Sequence, residues 1–159
     1  MRDTSELYQR SKQQLDAAGN YSEFEHEPVL DYTAAAVVRD RFGLTGTETK
    51  SLFLRSKGGL SCMLVTVETK RADFGKIKEV LGERVLIASD KELQEQTGCK
   101  PMCAVPFGLP ESIVILIDKE LFSHRNLIFS PGPPERTVEM NIDAVKVVIN
   151  GLPNRVEYV

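Results

Sequence analysis

Several features are missing from this 159-residue sequence, and each absence narrows what it can do. No stretch approaches the roughly 20 consecutive apolar residues that a membrane-spanning helix needs, so no membrane partner is expected. The opening residues, Met1-Arg2-Asp3-Thr4-Ser5-Glu6, lack the apolar centre of a secretory leader, which points to the cytoplasm. Cysteine is scarce and odd in number: Cys62, Cys99 and Cys103 fit a reducing compartment better than a disulfide framework. Cys99 and Cys103 stand four apart, with only His26 and His124 in the chain to join them, and a zinc site usually has tighter and more numerous ligands. No metal site is expected, and no histidine is visibly paired with a cysteine nucleophile. The P-loop, the dinucleotide fingerprint and a Ser-His-Asp pattern are all missing. Positive charge is not in excess either. A net charge of -3 argues against a general nucleic-acid coat, and no DNA partner is expected. Local contact with RNA stays open through Arg55 and Lys57, or through Lys70, Arg71, Lys76 and Lys78. The same residues read equally as solvated turns and an exposed helix face.

What is present suits one compact domain over residues 1–159. The 42% hydrophobic content is ordinary for a globular chain of a size that can bury a core. Asp3 with Glu6 resembles a capping box and opens a helix to about Ala18, stopped by Gly19. Tyr21 to Glu25 reads as a short strand, and Thr33 as the cap of a helix that Gly43 ends. Lys50 to Ser56 and Leu60 to Glu68 form a hairpin around Lys57-Gly58-Gly59. Phe74 to Leu81 is a short helix, Val85 to Ala88 a buried strand, and Ser89 with Glu92 a second capping box for a helix stopping at Gly98. Ile113 to Asp118, Asn126 to Phe129 and Thr137 to Met140 read as strands. Asn141 caps a last helix, and Val156 to Val159 returns to the sheet. Strands outnumber helices without a regular βαβ rhythm, so the class is α+β.

Two segments carry chemistry. In Thr49-Lys50-Ser51-Leu52-Phe53-Leu54, the alternation of a strand puts Lys50 on one face with Leu52 and Leu54, and Ser51, Phe53 and Arg55 on the other. A lysine that shares a face with two leucines is costly to bury unless it meets an anionic or strongly polar ligand. Phe53 is apolar as well, which also fits a strand covered on both sides. In Thr97-Gly98-Cys99-Lys100-Pro101-Met102-Cys103-Ala104-Val105-Pro106-Phe107-Gly108, two glycines and two prolines fall in a short space, the composition of a loop held on an unusual path. Glycine lets a backbone approach a ligand closely, and loop amides can face a developing oxyanion.

In this order and spacing the two segments resemble the YbaK/ProX family, the editing domain associated with prolyl-tRNA synthetase. The resemblance covers about Pro28 to Gly151 and is closest to the free-standing ProX-like branch. It implies a curved, mostly antiparallel sheet approaching a barrel, surrounded by helices, and an enzyme that hydrolyses the ester of mischarged aminoacyl-tRNA without a metal or organic cofactor. The expected partners are the aminoacyl-tRNA acceptor end and an aminoacyl-tRNA synthetase. Lys50 matches the lysine essential for deacylation, in an anchoring and electrostatic role. Gly98, Pro106, Phe107 and Gly108 match the loop lining the aminoacyl pocket, and His26 sits where family members have a His-Pro-type turn, either bordering the pocket or stabilising the turn itself. Three positions depart from ProX-like alanyl editors. Ser51 stands where many have Asn, Met102 where the loop has Gly, and Ser130 where several have His. A reshaped pocket is therefore expected, with tRNA for proline carrying a small residue such as alanine as the substrate. The alternative is a non-catalytic module that holds an aminoacyl end or an amino acid.

Overall fold

The structure, a computed structural model, describes Arg2 to Val159. Among these residues the chain forms helix α1 (Thr4–Ala18), strand β1 (Tyr21–Glu25), α2 (Tyr32–Phe42), β2 (Thr47–Ser56), β3 (Ser61–Val67), α3 (Phe74–Leu81), β4 (Val85–Ile87) and α4 (Asp90–Thr97). It continues through β5 (Val114–Ile117), a 3-10 turn (Lys119–Ser123), β6 (Asn126–Phe129), β7 (Arg136–Asn141), α5 (Ile142–Asn150) and β8 (Val156–Tyr158). The strands make one curved sheet in the order β1-β7-β6-β2-β3-β5-β8, with β4 added to β2. Four of its seven pairings are antiparallel. The sheet is the α+β arrangement expected; it stays open, with β1 and β8 at its ends.

Helix boundaries follow side-chain caps. The Asp3 carboxylate accepts from the Ser5 N–H at 2.9 Å, and Gly19 ends α1 with positive φ. Ser89 and Glu92 form the reciprocal capping box of α4. At α2 the cap is Asp31 rather than Thr33: its carboxylate accepts from the Ala34 N–H at 2.7 Å and starts the helix earlier. A carboxylate caps at least as well as a hydroxyl and suits the positive end of the helix dipole. The strand expected to be buried at Val85 is an edge strand. Val85 is buried, but Leu86 and Ile87 are 51% and 62% exposed because β4 pairs with β2 alone. The 3-10 turn after β5 is capped by Asp118, which also accepts from Thr66 at 2.7 Å and pairs with Lys70 at 2.8 Å.

The middle strands are apolar on both faces. Along β3 and β5, Met63, Val65, Ile115 and Ile117 belong to the larger core with α1 and α5. Cys62, Leu64, Val114 and Leu116 belong to a second core under α3. β2 divides in the same way, with Phe53 in the first core and Leu54 in the second. Helix α5 buries Val145, Val148 and Ile149, each side chain worth about 1.5–3 kcal/mol of apolar burial. Glu23 on β1 takes Lys12 of α1 at 2.8 Å and Arg136 of β7 at 2.9 Å, tying that helix to the end of the sheet.

Candidate functional site

β2 changes partners along its length. It runs parallel to β6 over Thr47–Glu48 and antiparallel to β4 over Leu54–Ser56. On that edge residues 49–53 have no strand partner among the described residues, although the Phe53 carbonyl accepts from the Ala88 N–H at 2.9 Å. A cavity of about 380 Å³ opens at this gap. Its floor is Glu48 to Phe53 of β2, and its walls are the start of α2, the loop over Met102–Pro106, and Phe129-Ser130 at the end of β6.

Lys50 lies in this floor, half-buried, and among the described residues no carboxylate is within ion-pair distance of its ammonium. Ser51, Met102, Pro106 and Ser130 line the same cavity, so five of the sequence-derived positions come together. Met102 is 71% exposed and has φ of 64°, the left-handed region that favours glycine. The Ser130 hydroxyl is occupied by its own turn. It donates to the Pro133 carbonyl at 3.0 Å and accepts from the Gly132 N–H at 3.2 Å.

The other four lie elsewhere. Gly98 ends α4, its N–H donates to the Gln94 carbonyl, and its carbonyl accepts from the Thr4 hydroxyl at 2.7 Å. Gly108 lies against α1, where an added Cβ would come within 2.7 Å of both the Leu7 carbonyl oxygen and the Ser11 nitrogen. Its N–H donates to Gln14 at 2.8 Å, and its carbonyl accepts from Arg10 at 2.8 Å. The close backbone approach that these glycines permit is to a helix of the same chain, and their amides are already used. Phe107 is a core residue, edge-on to Phe129 with centroids 5.4 Å apart. His26 hydrogen-bonds the Glu27 carbonyl oxygen and the Thr137 hydroxyl, at 2.6 and 2.7 Å, and joins a turn to β7. None of the four lines the cavity.

Sequence reasoning missed two kinds of contributor. One is the walls from α2 and from β4 and α4, because Val29, Leu30, Tyr32, Ala35, Ile87, Ala88 and Leu93 carry no chemical signature in sequence. The other is Glu48, which shares a strand face with Lys50 and could have been found by the same alternation. Glu48 pairs with Arg39 of α2 at 3.2 Å. Burial pushes its carboxyl up to about 7 and Glu68 adds to this, against the downward pull of Arg39. Tyr32 on the rim is pushed up to about 12, first by burial and then by Glu48 and Glu68. Burial also raises the thiols of Cys99, to about 11, and of Cys103, which weighs against either as a nucleophile.

The frame of the site is thus an open α+β sheet whose central strand lines a cavity with a lysine and a carboxylate. A profile of the aminoacyl-tRNA editing domain matches residues 26–147, and the chain belongs to that family. It is 34% identical over 67 residues to a proline–tRNA ligase of Aquifex aeolicus (strain VF5), a match covering 42% of this chain and 12% of the ligase. Two crystal structures share the fold. One, of a hypothetical protein, has a TM-score of 0.78 at 21% identity and covers 92% of this chain and 96% of its own. The other, of a candidate trans-editing enzyme for prolyl tRNA synthetase, has a TM-score of 0.72 at 19% identity and covers 96% and 95%. Among the described residues no helix is long and apolar enough to cross a membrane.

Proposed function

We propose that this protein is a deacylase acting in trans on mischarged aminoacyl-tRNA, with tRNA for proline bearing a small non-cognate residue such as alanine as its substrate. The observation that carries this reading is Lys50, an ammonium with no counter-ion among the described residues, in the floor of the cavity of an editing domain. The similarity to a proline–tRNA ligase and to a candidate prolyl trans-editing enzyme supports the choice of tRNA.

In the reaction, water adds to the ester carbonyl carbon and gives up a proton, and a tetrahedral oxyanion forms. The carbon–oxygen bond to the ribose then breaks, the ribose oxygen takes up a proton, and the amino acid departs. Lys50 holds the acylated 3′ end and offsets the developing negative charge, as preorganised donors do in acyl transfer. The amide supply differs from a simple glycine-loop picture. Gly98 and Gly108 spend theirs inside the fold, whereas Met102, Ala104 and the stretch of β2 left open on one edge border the cavity. A second hydrolytic site is useful because one methylene is worth only about 1–3 kcal/mol of discrimination in a single selection.

The test is a panel of tRNAs charged with Ala, Ser, Thr and Cys, with loss of the ester followed over time. Hydrolysis of at least one member, lowered by about 100-fold or more in Lys50→Ala, is the expected result. Binding without turnover would instead identify a module that holds the aminoacyl end. The engaged hydroxyl of Ser130, which leaves no free donor at that wall, is the feature that favours this second reading.

A further inference from the structure

We propose that Glu48 is the residue that receives the α-ammonium group of the aminoacyl ester, so that the site selects substrates with a free amine. This rests on the deacylase reading of the same cavity and adds a specificity determinant to it. Glu48 and Lys50 lie in the floor of one cavity, on one face of β2. Two residues along a strand advance about 6.6 Å. In an aminoacyl ester the ammonium and the carbonyl are attached one carbon apart. With each at hydrogen-bond distance from its own partner, the two partners stand apart by a distance of the same order. A carboxylate and an ammonium spaced in this way complement a cation beside an oxygen that becomes anionic.

The surroundings favour an acceptor over a general base. Arg39 reaches one oxygen of Glu48, Oε2, and among the described residues Oε1 has no hydrogen-bond partner. A guanidinium contact holds the side chain in place and favours its ionised form, as an ammonium ligand requires. The charged and titratable groups around Glu48 and its cavity are Arg39 and Tyr32 of α2, Asp31 at its cap, Glu68 beyond β3, Lys50 on its own strand, Asp90 of α4 on the cavity lining, Cys103 of the loop and Arg136 of β7. Burial opposes ionisation most, the Glu68 carboxylate adds to it, and Arg39 supports the ionised form. An arriving ammonium adds to the Arg39 side.

The experiment compares alanyl-tRNA with N-acetyl-alanyl-tRNA, by hydrolysis, and the corresponding non-hydrolysable 3′-alanylamido-3′-deoxyadenosines, free and N-acetylated, by calorimetry. The wild-type protein is expected to prefer the free amine by about 10- to 100-fold, the usual worth of a hydrogen bond to a charged group. Glu48→Gln is expected to bring the ratio close to one, and Glu48→Asp to restore part of it. A wild-type ratio near one, or an undiminished ratio in a folded Glu48→Gln protein, overturns the assignment while the deacylase reading stands. Equal losses on both substrates in Glu48→Gln also overturn it and mark Glu48 as a general base. If no ester is hydrolysed but the free-amine adenosine is still preferred through Glu48, the deacylase reading fails and the ammonium site holds.

Discussion

At Glu48 the fold holds a carboxyl whose ordinary value of 4.5 is pushed up to about 7, first by burial. A group raised in this way contributes stability that is complete below the unfolded value, and loses it as pH rises through the folded one. Between pH 5 and pH 8 the wild-type protein is therefore expected to lose up to about 3 kcal/mol from this side chain. Glu48→Gln should flatten that part of the stability profile in urea titrations at each pH; an unchanged slope would mean that the carboxyl titrates normally. Lys50 and Met102 show how differently single residues present themselves in a sequence. The lysine is conspicuous because a cation among leucines needs a reason. Met102 is conspicuous only beside a pattern with glycine in its place, and its φ of 64° explains why glycine suits that point of the chain.

Among the elements, helix α1 and the loop from Gly98 to Gly108 behave as one unit. Thr4, Arg10 and Gln14 of the helix each hydrogen-bond a glycine of the loop. In sequence the two glycines suggest a backbone close to a ligand. The same composition equally serves a backbone close to a helix, and only the packing of α1 separates the two. Gly108→Ala would place a methyl against the Leu7 carbonyl at φ of +81°, and a loss of about 3 kcal/mol or more is expected in chemical denaturation. The loss should come from undocked α1, so amino-acid preference measured below the transition should change little. Other elements were legible because their signals are local. The helix caps at Asp3, Ser89 and Asn141 and the hairpin at Lys57-Gly58-Gly59 depend on a few adjacent residues. The edge exposure of β4 was not legible, since an apolar triplet reads alike whether one neighbour strand or two will pair with it.

For the whole molecule, charge bounds how the tRNA is held. The net charge is -3, Arg55 is paired with Glu92, and Lys70 with Asp118 and Glu120. Lys57, Arg71, Lys76 and Lys78 have no ion-pair partner among the described residues, and the acidic balance opposes a wide phosphate footprint. With about two phosphate contacts, affinity for a charged tRNA should fall by no more than roughly tenfold between 50 and 200 mM salt. A much steeper fall in filter-binding assays would reveal a wider basic footprint. The sequence by itself determined the α+β class, most helix ends and the place of Lys50 on a strand, because propensity, capping and alternation are properties of neighbouring residues. The tertiary structure alone decided which of the marked residues share a cavity, for that depends on where β2 exchanges β6 for β4 and on what covers the gap. Lys50, Ser51, Met102, Pro106 and Ser130 meet there with Glu48, while His26, Gly98, Phe107 and Gly108 hold the scaffold around them. Contacts between residues far apart in the chain arise from packing, and no short stretch of sequence encodes them.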